Sequence, residues 1–320
     1  MYRIFLCVRI YFIMAVFIAI ELILYYNGNE VTKMEITKIA KVLGDQDGVI
    51  FGDLLFIFNS KGKCNVFDLT KIDDGEVKEH SPISAFTLDK AELICPHNNA
   101  VTFGCEYYEE GDEFPVFYTN IYNNYAGSKN KLKGVCLAYR LEREGDGFKT
   151  TLLQMIEIGF TEDEIWKSPG ENMDVRPFGN FVADRENNKY YGFVMRDNDR
   201  TTRYFTFDMP KVRDGETDEN YGIKKVVLSK ADIKDYFDTD YHRFIQGASV
   251  KDGKIYSVEG FTNDNVNFPA LRIIDMEKKK QIEMVDFREF GIHEEAEMID
   301  FYKGEIIYAD NPGNLYRIKF

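Results

Sequence analysis

Carboxylates dominate the side chains here that could do chemistry. The 320 residues hold 54 Asp and Glu against 40 Lys and Arg, a formal charge of −14, and only four histidines. Two carboxyl groups flanking a sugar can hydrolyse it, one as acid and the other as base or nucleophile. Asp47 and Glu297, with Glu295 beside them, are the best candidates for that role. Other constellations are weaker. His293-Glu-Glu-Ala-Glu297 has one histidine where a zinc-protease helix needs two, and it falls on an expected strand. Cys95-Pro-His97 with Cys105 would need a fourth metal ligand from elsewhere. Asp45/Asp47, Asp197/Asp199 and Asp238/Asp240 fit no calcium loop, and Asp-rich turns are usually only turns. Neither a Ser/His/Asp set nor a phosphate-cradling Gly-rich loop is visible. No metal or cofactor is expected.

Whatever these residues do, a repeating element must hold them. Gly253-Lys-Ile-Tyr256 followed by Ala270-Leu-Arg-Ile-Ile-Asp275 returns as Gly304-Glu-Ile-Ile-Tyr308 followed by Gly313-Asn-Leu-Tyr-Arg-Ile-Lys-Phe320. The same figure stands upstream at Asp53–Phe58 with Cys64–Asp68, and at Asn188–Phe193 with Arg203–Asp208. A four-strand unit recurring at roughly 50 residues is the signature of an all-β propeller. Five four-stranded blades are expected, over residues 49–88, 100–158, 179–228, 244–287 and 297–320. Six is the alternative, if the segment 120–180 hides another. Lys224–Leu228 is expected as the outer strand of blade three, and Ser229–Asp240, with a helix-start signal, as a connection between blades. The last blade stops after its third strand. Residues 35–43 alternate like an amphipathic strand, so they are expected to supply the missing outer strand and close the ring.

Propellers arrange their innermost strands around a central channel. One position per blade stands at the same distance ahead of the turn before the second strand. These positions are Gln46, His97, Phe181, Gln246 and Glu297; four are polar and Asn180 stands beside the exception, so a polar ring of Gln46, His97, Asn180, Gln246 and Glu297 is expected. Asp47, Asn98, Asn99, Asp184 and Glu295 flank it. Polar residues heading an apolar strand need water, a partner or a ligand. The ring either binds a small polar or glycan ligand or hydrogen-bonds across a water-filled channel, with Phe181 as a possible plug.

Residues 1–27 differ from the rest. Arg3 and Arg9 flank an apolar lead-in, and Ile10–Tyr26 carries the single charge Glu21. This reads as an apolar helix serving as signal peptide or uncleaved membrane anchor, with residues 30–320 exported as one domain. An acidic exported domain repels phosphate backbones, which argues against nucleic acid. The segment Thr161–Asn172, which holds the only Trp, reads as an acidic, partly helical excursion. Cys64, Cys95, Cys105 and Cys136 match no disulfide framework and are expected as free thiols. Lys278-Lys-Lys280 is expected as a solvated turn.

The run Phe244-Ile-Gln-Gly-Ala248, Gly253-Lys-Ile-Tyr256, Glu295-Ala-Glu297 and Gly304-Glu-Ile-Ile-Tyr308 resembles uncharacterised bacterial exported β-propeller proteins. Their C-terminal half carries a Gln-Gly blade start and then a Glu-Pro-Glu-like one, and here Ala296 stands in place of the Pro. His97-Asn-Asn99 with Phe114-Pro-Val-Phe-Tyr118 is similar to their second blade. The resemblance implies the fold and an extracytoplasmic location rather than an activity. Three functions follow as expectations. One is a membrane-anchored propeller binding a glycan, peptide or protein partner without catalysis. The others are a carbohydrate hydrolase or lyase and a structural scaffold.

Overall fold

A computed structural model describes residues 34–72, 77–121, 132, 134–158, 180–195, 202–239 and 244–320. The expected leader helix, the excursion with Trp166, Asp197/Asp199 and His242 lie outside them. The compact unit Ile36–Ile318 is a five-bladed β-propeller, with one sheet per blade.

Blade one comprises Gly48–Phe51, Leu54–Phe58, Lys63–Asp68 and Ser84–Thr87, each strand antiparallel to the next. The innermost strands of the other blades are Val101–Phe103, Asn180–Asp184, Ile245–Lys251 and Ala296–Tyr302. Each packs against the innermost strand of the next blade, and the fifth packs against the first.

Alternation explains the packing. In Leu54–Phe58, Leu55 and Ile57 enter a core shared with blade five, while Phe56 and Phe58 enter the core shared with blade two. Both faces of this second strand are thus buried between blades, and successive side chains serve opposite neighbours. Phe56 meets Phe103, Phe114 and Phe148 edge-on, with ring centroids 5.8, 6.0 and 5.5 Å apart. Phe181 points into the core between blades two and three, 4.5 Å from the Phe207 ring, rather than plugging the channel.

The N-terminal strand closes the ring as expected. Glu35–Lys41 lies outermost on the fifth sheet, beside Asn314–Lys319. Val42 N donates to Gly313 O at 2.8 Å. Gly313 has φ +82°, and a Cβ there would collide with the Val42 carbonyl, so both conformation and space require glycine.

Two expectations are corrected. Ile223–Leu228 does not close blade three; it runs parallel to Gly147–Ile158 on the outside of blade two, with Glu216–Asp218 paired beyond it. That edge of blade two would otherwise lie open. Leu228 joins the core, and Lys225 pairs with Glu157 at 2.5 Å. The outer strand of blade three is Ile233–Thr239, within the segment read as a connection. The helix-start signal is real, since Ser229 and Asp232 form a capping box. It caps only the 3-10 turn Lys230–Asp232. Phe237 then stacks on Tyr204 (5.6 Å) and Asp238 pairs with Arg203 (2.6 Å), which hold the following residues as strand.

Cys64, Cys95, Cys105 and Cys136 are free. Lys278 and Lys279 form the turn between Ala270–Asp275 and Lys280–Asp286, capped by Asp275 through the Lys278 N–H at 2.8 Å.

Candidate functional site

The channel has two ends. At the head end the innermost strands begin, and the ring expected from the sequence lies there in two layers. Asp47, Asn98, Asn99, Asn180 and Glu297 are buried, whereas Gln46, His97, Gln246 and Glu295 are half-buried.

The buried layer is tied to backbone. Asp47 accepts from Gly48 N and from Val101 N of blade two, both at 2.8 Å. Asn99 donates across the channel to Ile245 O of blade four at 3.3 Å. Asn98 bonds Asn59 O (2.9 Å) and Thr119 Oγ1 (2.9 Å), a turn role at φ +51°. A Cβ on Gly247 would stand 2.7 Å from Asp47 Oδ1 and collide with the Glu297 carbonyl. The Gly247 backbone therefore lies against the Asp47 carboxylate and the Glu297 main chain. Asn180 Oδ1 is buried without a hydrogen-bond partner, an acceptor that a water would satisfy.

Gln246 of the outer layer and Glu297 of the buried one occupy β-bulges at the starts of blades four and five. A bulge redirects a side chain out of the regular alternation. Gln246 Nε2 consequently reaches Glu295 Oε1 at 2.5 Å, and Glu297 accepts from Asn311 Nδ2 at 2.9 Å.

At the turn end, where the innermost strands finish, the channel opens into a cavity of about 360 Å³ walled by all five blades. Asp300 lines it from blade five. Its carboxylate accepts from Ser249 Oγ (2.7 Å), Ile50 N (2.6 Å) and Phe301 N (2.9 Å), so one side chain links blades one, four and five. Thr102 adds a hydroxyl, and Arg185 and Lys251 add two cations. The Arg185 guanidinium lies 5.0 Å from the Phe51 ring centre. Lys251 Nζ lies 5.0 Å from the Phe301 ring centre and donates to Gly304 O at 3.2 Å. Asp184, expected at the head end, belongs here; its carboxylate is spent on Asn187, from N (3.1 Å) and Nδ2 (2.9 Å).

Burial governs the electrostatics of this channel. It pushes Asp47 well above the usual carboxyl range, against the pull of the Val101 and Gly48 N–H groups, and Asp300 and Glu297 push the same way. Glu297 is also well raised by burial; Asn311 opposes this, while Glu295, Asp45 and Asp310 add to it. Burial raises Asp300, and Ser249, two backbone N–H groups and Arg185 pull it back. The buried Asp47 and Glu297 and the half-buried Asp300 thus hold their protons more tightly than free acids do.

Other expected groupings stay apart. Cys105 Sγ lies by Asp184 O at 3.7 Å, whereas Cys95 Sγ contacts Glu92 O at 3.6 Å. Among the described residues no cluster of three His, Cys, Asp or Glu could hold a metal. Two larger cavities, about 760 and 950 Å³, lie beside blade three and against the strand annexed to blade two. Among the described residues no helix is long and apolar enough to cross a membrane.

The sheets and their ring define a β-propeller. Among solved structures it is similar to a provisionally assigned oxidoreductase (glucose dehydrogenase) of Thermus thermophilus. The identity is 8% and the TM-score 0.43, over 89% of this chain and 100% of that one. It is also similar to the hydrazine synthase of Kuenenia stuttgartiensis, with 10% identity and a TM-score of 0.33, over 88% of this chain and 58% of that one. Likenesses this distant do not speak to activity. No protein-family profile matches the chain, and no curated protein matches it in sequence.

Proposed function

We propose that this chain is an exported propeller, held at a bacterial membrane by its apolar N-terminal segment, that binds a polar ligand in the channel without transforming it. The ligand is a glycan, a peptide or the loop of a partner protein. The observation that carries this reading is the 360 Å³ cavity at the turn end, where all five blades converge on Asp300, Ser249, Thr102, Arg185 and Lys251. Concave sites with a few convergent polar groups are the usual place for a small ligand. Hydrolysis is the weaker reading, because Asp47 and Glu297 are buried, the Asp47 carboxylate being bound by the Gly48 and Val101 N–H groups and that of Glu297 by Asn311. The apolar, arginine-flanked N-terminal segment supports the export and anchoring.

A thermal-shift panel of glycans and peptides on the full chain in detergent tests it. A ligand that binds only the folded state adds about 2.7 kcal/mol of apparent stability at a hundred times its dissociation constant. At least one member should raise the midpoint and be recovered unchanged. Turnover of that ligand, or no shift across the panel, would contradict the reading.

A further inference from the structure

The inference that follows rests on the binding reading above and names its ligand class. We infer that the turn-end cavity takes an acidic sugar, a hydroxyl-bearing ring with a carboxylate, as a free monosaccharide or as the end of a glycan.

The two cations are the first reason. In a chain with 54 acidic residues, Arg185 and Lys251 close no ion pair with a carboxylate among the described residues. Each is held instead on an aromatic face, which positions a positive charge while leaving its hydrogen-bond donors available. Lys251 spends one donor on Gly304 O, and the guanidinium can take a carboxylate in a two-point grip.

The second reason is the Asp300 carboxylate on the same wall. Asp300 has roughly four acceptor positions. Three are filled, by Ser249, Ile50 and Phe301, which leaves room for one more donor such as a sugar hydroxyl. Ser249 donates its hydroxyl hydrogen bond to Asp300, so its oxygen is left to accept. Thr102 accepts from Ala183 N at 3.3 Å and makes only a 3.5 Å contact to Phe103 O, so its proton can turn toward a ligand. The cavity thus offers cations for a carboxylate and mixed donors and acceptors for hydroxyls. Two further acids line its wall: Asp184, held by hydrogen bonds from Asn187, and Glu186, which is exposed as Arg185 is, so water screens both of those charges. A volume of about 360 Å³ lies at the small end of ligand pockets, which run from about 300 to 1,000 Å³.

Isothermal titration of the full chain in detergent, with glucuronate, glucose and a glucuronate-ended oligosaccharide, tests this. Glucuronate should bind saturably, glucose at least about tenfold more weakly, and the Arg185→Ala/Lys251→Ala double variant should lose glucuronate affinity by about tenfold or more. Tighter binding of the oligosaccharide supports a glycan end, and equal binding supports the free acid. The thermal midpoint of the ligand-free double variant checks that its fold is intact, and Arg185→Lys should retain part of the affinity. Equal affinity for glucose and glucuronate, or undiminished affinity in the double variant, would overturn the acidic-sugar inference and leave a binding propeller standing. A peptide that binds where no sugar does would have the same effect. Absence of any binding, sugar or peptide, would overturn both.

Discussion

Glu297 shows how burial sets a residue's behaviour. The residue is 3% exposed and its proton affinity is raised, so the folded state holds that proton at pH values where the unfolded chain has released it. The stability this gives is fully present below the unfolded pKa, about 4.3, and is lost as pH rises through the higher folded value. Glu297→Gln keeps an acceptor for Asn311 and removes the titration. Melting temperatures from pH 5 to 8 should therefore fall less steeply for the variant than for the native chain; parallel curves would contradict this. Repulsion among the surface acids affects both proteins alike, so the difference isolates Glu297. The head-end residues are legible in sequence because polar side chains interrupt apolar strands at equivalent places. Ser249, Lys251, Asp300 and Arg185 are not. Each sits near a turn, where such residues are ordinary, and only the ring brings them to one cavity.

Strands carry a second repeat. The third strand of blades two to five each holds an arginine paired to a carboxylate: Arg140 with Asp112 (2.6 Å), Arg203 with Asp238 (2.6 Å), Arg272 with Glu259 (2.9 Å) and Arg317 with Glu305 (2.8 Å). The partners come from a loop, an outer strand and two second strands, so no fixed spacing announces them. Arg272 and Glu259 are the most buried pair, with side chains 6% and 0% exposed. Arg272→Ala leaves the Glu259 charge in the sheet without this partner and should cost about 3–5 kcal/mol. Urea unfolding should show a lower midpoint; a change under about 1 kcal/mol would contradict a structural role. Inner and second strands are legible because continuous apolar runs mark them. The outer strand Ile233–Thr239 is not, because its exposed face is polar and a genuine capping box precedes it. Tertiary pairing with Thr202–Phe207 decides its state.

The whole ring is legible in the number of blades and in its closure. A last unit lacking an outer strand and an N-terminal segment alternating like one could satisfy each other in a single way, with no open edge left between them. What the repeat could not reveal is the cavity at the turn end of the channel. That depends on side chains crossing from one blade to another, such as Asn99 to Ile245 O at the head and Ser249 to Asp300 at the turns. The most direct measurement compares these ends. A ligand found by thermal shift should be titrated against Ser249→Ala/Lys251→Ala at the turn end and Gln246→Ala/Glu295→Ala at the head end. Loss of affinity by about tenfold or more in the first variant alone is the expected result. Loss in the second, with the first unaffected, would contradict entry at the turn end and return the site to the head of the channel.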